Sequence, residues 1–219
     1  MRSPSRFPWE LVTFDIDGTL TTGHGWAHIA EVLGRTAAYR TATEQFRAGE
    51  TDEDQHLESL LALAEGASLA DLEAALESTP RIRSIPETVA ELHRRGSRVA
   101  LLTHNPPYVC EWYVRKYGFD DFEGVRVPEP VGGRIPRSGP VHADKTELLD
   151  RLVRRLGVDP HRSVHVGDAA PDVDVFRRVG GGVALNARNP VVRAAADVVA
   201  DLEDLRELWP VLAHLVPRL

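Results

Sequence analysis

The sequence predicts an α/β fold, a parallel sheet flanked by helices, and three short apolar runs predict it. Leu11 to Phe14, Arg98 to Leu102 and Ser163 to Val166 each end abruptly in polar residues. Asp15 and Asp17 follow the first run, Thr103 the second, and Asp168 and Asp172 the third. Strands that carry polar groups at their carboxyl ends can pool them only by running the same way in one sheet. Open α/β sheets bind ligands at that edge.

The elements follow in order. After the first strand, Thr21 to Gly25 is a turn-rich approach to a helical stretch over Trp26 to Leu33, punctuated by Gly34 and Gly49. A second helical pattern runs near Asp52 to Leu63 with Leu57, Leu60 and Leu61 on one face, and a third starts after Ser68, its N-cap. These helices are too few and short for a large independent domain, and they make sense as a compact cap over the strand ends. The chain returns near Ile85-Pro86 with a helix through Val89 and Leu92. A helix after Pro106-Pro107 includes Val109, Trp112 and Tyr113 and stops at Gly118. Val125 to Pro140 reads as a short strand and an irregular excursion, too interrupted for a central strand. Lys145 to Leu156 is an amphipathic helix closed by Gly157, and further strands fall at Val183 to Leu185 and Val198-Val199. The expected organisation is a Rossmann-like core at 9–22 and 82–219 with the cap at 23–81.

Composition permits this and narrows the partners. At 219 residues and 42% hydrophobic, the chain can bury a sizeable core and carry one small module. A formal charge of -7 without a long basic block argues against nucleic acid. Cys110 is the single cysteine, so no intrachain disulfide can form, which points to a reducing compartment. Met1 to Glu10 carries Arg2 and Arg6 but no apolar signal core, and no 18-residue apolar run occurs. A cytoplasmic protein without a membrane partner is the simplest expectation. Composition leaves the oligomeric state open.

An aspartate at a strand end can ligate metal or act as a nucleophile, and a neighbouring carboxylate can share the site. Taken singly, each residue has a bland reading. Asp-Gly makes turns, Thr103 could cap a helix, and Lys145 could be solvated. One sheet edge collecting all of them favours chemistry. His24 and His28 have i,i+4 spacing but lack the glutamate of a zinc-protease helix. His161 and His165 read as strand-edge or core residues, and Tyr39 and Phe46 as cap packing or lining.

Asp15-Ile16-Asp17-Gly18-Thr19, Thr103, Lys145 and Gly167-Asp168-Ala169-Ala170-Pro171-Asp172 resemble, in order, the four motifs of the haloacid dehalogenase superfamily. The helical insert resembles that of its phosphoserine phosphatase branch. The resemblance implies a phosphoric monoester hydrolase that forms an aspartyl phosphate on Asp15, with Asp17 as general acid and base. It implies Mg2+ held by Asp15, Asp168 and the backbone carbonyl of Asp17, with Asp172 orienting water, metal or Lys145. Lys145 and Thr103 would stabilise the phosphoryl group, helped by main-chain N–H groups around Ile16, Gly18 and Asn105. His24, Glu53 and His104 are the expected substrate contacts.

Departures from the branch bear on substrate. His24 stands where the branch has a glutamate, Glu53 where it has an aromatic, and Leu60 where an arginine binds the substrate carboxylate. Thr103-His104-Asn105 replaces Ser-Gly-Gly, and Pro171 replaces an asparagine. A lost guanidinium clamp is hard to imitate. The expectation is therefore a Mg2+-dependent phosphatase of a small phosphorylated metabolite other than phosphoserine. The alternatives are a phosphotransferase or mutase using the same intermediate, and a silent phosphate-ligand-binding protein.

Overall fold

The computed structural model describes residues 7–218, so Arg2 and Arg6 lie outside the described residues. The chain begins with β1 (Leu11–Phe14) and continues through four consecutive helices, α1 (Gly25–Val32), α2 (Thr36–Arg47), α3 (Glu53–Leu61) and α4 (Leu69–Ser78). It then alternates through α5 (Ile85–Arg94), β2 (Arg98–Leu102), α6 (Pro107–Tyr117), β3 (Asp121–Glu123), α7 (Lys145–Leu156) and β4 (Ser163–Gly167). α8 (Ala170–Arg178), β5 (Gly181–Leu185), α9 (Pro190–Ala195), β6 (Val198–Ala200) and α10 (Leu208–His214) complete it. The strands form one six-stranded sheet in the order β3-β2-β1-β4-β5-β6, and every pairing is parallel. This is the Rossmann-like core with a helical insertion after its first strand that the three apolar runs predict.

Side-chain alternation explains how both faces are covered. Val12, Phe14, Val99, Leu101, Val164 and Val166 enter the core on one face. Leu11, Ala100 and Leu102 point the other way onto Leu148, Leu149 and Leu152 of α7. The α7 N-cap is Asp144, whose side chain accepts from the N–H groups of Thr146 and Glu147, and Gly157 closes the helix at φ 65°. Truncating a fully buried leucine such as Leu152 costs about 2–5 kcal/mol, so these faces hold the strand ends in register.

Two features depart from expectation. α2 is a 12-residue helix outside the expected set, and only Ala42 of it is buried. Val125 to Pro140 contains no sheet strand. β3, just before it, forms the sheet edge beside β2 instead, and the excursion makes only the isolated bridges Val131 to Arg134 and Ser68 to Arg134. Its glycines and prolines interrupt a continuous ladder, yet it ties the insertion to the core: Leu69 N–H donates to Gly133 O and Ile135 N–H to Ala67 O. Among the described residues no helix is long and apolar enough to cross a membrane.

Candidate active site

The strand order reverses direction between β1 and β4, and the crevice beyond their carboxyl ends is where such sheets place ligands. Asp15 follows β1, with its N–H donating to Val166 O of β4 at 2.9 Å. Asp168 follows β4 and Thr103 follows β2. A cavity of about 920 Å³ opens above these ends, walled on the opposite side by α1, α2 and α3.

Lys145, the first residue of α7, is buried with its ammonium 3.2 Å from Asp15 Oδ2 and 2.7 Å from Asp172 Oδ1. Burial alone would lower the lysine pKa, but Asp15 and Asp172 raise it, so the group stays charged. Asp172 is wholly buried. Burial pushes its carboxyl up, while Lys145 and a bond from His165 outweigh that and hold it well below the usual range. Its Oδ2 accepts from the N–H groups of Asp168 and Ala169 at 3.0 and 2.9 Å. His165 Nε2 lies 2.9 Å from Asp172 Oδ1, and its Nδ1 lies 2.9 Å from the Thr13 hydroxyl. Because a carboxylate only accepts, Nε2–H is the donor. Asp172 therefore contacts Lys145, one of its expected partners, and also ties down the fourth-motif loop. His165, expected as a strand-edge or core residue, is in the core opposite Thr13 in the β1–β4 register and is bonded to that carboxylate, a contact that nothing in the sequence signals.

Asp15, Asp168 and Asp172 each offer an oxygen within 4.8 Å of the others. Burial, then the charge of Asp15, raises the Asp168 pKa to about 8, and burial raises that of Asp15 despite Lys145. Crowded, desolvated carboxylates of this kind suit a hard divalent cation with oxygen ligands. Thr19 Oγ1 donates to Asp168 Oδ1 at 2.8 Å, fixing one rotamer. Gly18 has φ 83°, and a Cβ there would sit 2.2 Å from Asp168 Oδ2, so both conformation and space demand glycine.

Asp17 is held from two sides. Its Oδ1 accepts from Gly25 N–H at the start of α1 at 2.7 Å, and its Oδ2 accepts from Asn105 Nδ2 at 2.7 Å. The same amide nitrogen reaches Thr103 Oγ1 at 3.0 Å, and Asn105 Oδ1 accepts from Trp26 Nε1 at 3.1 Å. Two expectations are corrected here. Gly18 N–H, expected to face a phosphoryl oxygen, donates to Gly23 O and to the Thr21 hydroxyl. Asn105 N–H lies 3.3 Å from Thr103 Oγ1, and the asparagine works through its side-chain amide. The tight turn after β1 consumes the first donor, and the compact Thr103-His104-Asn105 turn consumes the second.

The remaining expected contacts, His24, Glu53 and His104, all line the cavity. His24 is the residue before α1 and its ring stands 5.8 Å from that of Tyr39. His28 instead meets Ser78 at 2.9 Å, so the two histidines form no metal pair. His104 is pushed down to about 3 by burial and by Lys145, and its buried Nε2 has no partner. Glu53 lies at the cavity mouth, where burial raises its carboxyl. The α2 residues Tyr39, Thr43, Phe46 and Arg47 also line the cavity, as does Arg188 after β5. Neither arginine stands out in the sequence, although the 39, 43, 46, 47 spacing describes one helix face.

A parallel sheet with crowded carboxylates and a buried lysine at its switch point defines a hydrolase of the α/β class with an inserted cap. Residues 9–180 match the haloacid dehalogenase-like hydrolase family model, and the chain belongs to that family. A phosphoserine phosphatase of Methanocaldococcus jannaschii is 25% identical over 91% of this chain and 95% of its own. One from Wolinella succinogenes is 27% identical, covering 94% of this chain and all of that one. A substrate-bound phosphoserine phosphatase structure superposes with a TM-score of 0.76 at 24% identity, covering 93% of this chain and 98% of that one. A haloacid dehalogenase family hydrolase from Salmonella enterica serovar Typhi superposes with 0.82 at 21%, covering 94% and 72% respectively. These two likenesses speak to fold.

The relatives overturn the expected exclusion of phosphoserine, since they are named phosphoserine phosphatases. Leu60 lines the cavity, and so do Arg47 and Arg188 from other elements.

Proposed function

We propose that this chain is a phosphoserine phosphatase, releasing phosphate from a phosphorylated amino acid through an aspartyl phosphate on Asp15. The observation that carries the reading is the Asp15, Lys145, Asp172 and Asp168 constellation beneath a cap-walled cavity, in a chain whose relatives over nearly its full length bear that name. Residues 23–81 act as the cap, excluding bulk water and large substrates. The cytoplasmic setting rests on the single cysteine, Cys110.

Asp15 attacks phosphorus, a new Asp15 O–P bond forms and the ester P–O bond breaks. Asp17, aimed by Gly25 and Asn105, gives its proton to the leaving serine oxygen. It then takes a proton from the water that attacks the aspartyl phosphate, freeing phosphate and restoring both carboxyl groups. Thr103 Oγ1 accepts from Asn105, which leaves its hydroxyl proton for a phosphoryl oxygen. Lys145 has one N–H beyond those engaged by Asp15 and Asp172 and turns it to the same group. Asp15, Asp168 and the backbone carbonyl of Asp17 would hold Mg2+, which when bound offsets the charge gathered by carboxylates and phosphate.

The test is phosphate release from L-phosphoserine by the purified protein with Mg2+ and after chelation. Metal-dependent turnover is expected. Absence of turnover by folded, metal-loaded protein contradicts the reading.

A further inference from the structure

The cap wall of the cavity is built from one face each of α2 and α3: Tyr39, Thr43, Phe46 and Arg47 on the former, Glu53, His56, Leu57 and Leu60 on the latter. Only two of these residues carry a full charge in neutral solution, one cation and one anion, and adjacent packed helices present them. Arg47 has no ion-pair partner among the described residues, although α2 and α3 together carry several acids. One turn before it on the same face, the buried Thr43 hydroxyl has no hydrogen-bond partner either. A desolvated hydroxyl beside a free guanidinium is a polar surface completed by something that enters the cavity. Opposite charges set apart on one wall match a molecule that itself carries both.

We propose that Arg47 and Glu53 form the subsite that reads a zwitterionic leaving group, the Arg47 guanidinium binding the α-carboxylate with help from the Thr43 hydroxyl, and the Glu53 carboxylate binding the α-ammonium. This deepens, and rests on, the proposed phosphoserine reading. It moves the charged contacts to positions other than His24 and Leu60, where the related branch carries them. The planar guanidinium suits a carboxylate bidentately, and the glutamate is an acceptor for the ammonium donors. Arg188 lines the same cavity from the core loop after β5 and is the competing clamp.

Substrate truncation tests this directly. O-phospho-L-serine carries both groups, phosphoethanolamine only the ammonium, 3-phosphohydroxypropionate only the carboxylate, and ethyl phosphate neither. Each is assayed for kcat/KM with Mg2+-loaded wild type, Arg47→Met, Arg47→Lys, Glu53→Gln and Arg188→Met. A bond between charged groups is worth about 10- to 100-fold. Arg47→Met should lower the phosphoserine to phosphoethanolamine ratio by about that factor, with Arg47→Lys between it and wild type. Glu53→Gln should lower the phosphoserine to 3-phosphohydroxypropionate ratio by about tenfold. A wild type that does not prefer phosphoserine over ethyl phosphate removes the substrate reading and this subsite with it. A wild type that does prefer it, with both ratios unmoved in the Arg47 and Glu53 variants, overturns the subsite while the substrate reading stands. So does a selective loss of carboxylate-bearing substrates in Arg188→Met alone.

Discussion

Asn105 Nδ2 donates to Asp17 Oδ2 at 2.7 Å, which makes an amide from the strand-end turn after β2 the group that aims the carboxylate after β1. The same amide touches Thr103 and Trp26, so the proposed proton carrier, the proposed phosphoryl contact and helix α1 share one fixed point. Asn105→Ala should therefore lower kcat by about 100-fold, the scale of a misplacement near 1 Å, with a smaller change in KM. Steady-state kinetics on L-phosphoserine decides it. A variant that loses KM and keeps kcat would show that Asn105 binds substrate rather than aiming Asp17.

Gly18 should tolerate no side chain. Gly18→Ala places a methyl 2.2 Å from Asp168 Oδ2 at a positive φ, turning that carboxylate away from Asp15. Metal affinity should fall about 10- to 100-fold, the usual effect of disturbing the groups that orient ligands. Calorimetric titration with Mg2+ measures it, and unchanged affinity would argue against Asp168 as a ligand.

Asp172 is the structural keystone of the charged cluster. Asp172→Asn removes the carboxylate that Lys145 and His165 share and leaves the ammonium buried against Asp15 alone. Breaking one partner of a buried pair costs about 3–5 kcal/mol. Urea unfolding should report a loss of that size. A change below about 1 kcal/mol, the worth of an exposed pair, would mean that water reaches the cluster.

His104 gives a pH signature with a definite sign. Its folded pKa is depressed to about 3, so below its unfolded value near 6.5 the unfolded chain binds a proton that the folded chain refuses. Stability contributed by His104 is thus present above pH 6.5 and is lost as pH falls toward 3, with a slope of at most about 1.4 kcal/mol per pH unit. In His104→Gln the stability profile should flatten over that window. An identical slope in both proteins would place the imidazole in solvent.

The core was legible in the sequence because its strands are short, apolar and closed by chemistry-bearing residues: Asp15, Thr103, Lys145, Asp168 and Asp172 all reach the expected edge. α2 was not legible, for a reason that also hid the charged wall of the cavity. Its inner face, with Tyr39, Thr43 and Arg47, looks into a cavity rather than a core, so it carries polar and aromatic side chains where a core-packed helix would carry leucine or valine, and only Ala42 is buried. β3 escaped because three residues with two acids do not read as a strand, yet Glu123 and Asp121 are paired by Arg151 and Arg155 of α7. The exclusion of phosphoserine rested on an ungapped comparison, which fixes which position is lost, at Leu60, and cannot register an arginine that lines the same cavity from the neighbouring helix, as Arg47 does.

Burst kinetics with an activated aryl phosphate tests the division of labour between Asp15 and Asp17 most directly. Such a leaving group needs little protonation, so Asp17→Asn should still release aryl alcohol in a burst while turnover falls by about 10²–10⁴-fold, the range of general acid and base catalysis. Asp15→Asn should show no burst, because an amide is a poor nucleophile. Equal loss of the burst in both variants, or a burst that survives Asp15→Asn, would contradict a covalent phosphatase built on Asp15.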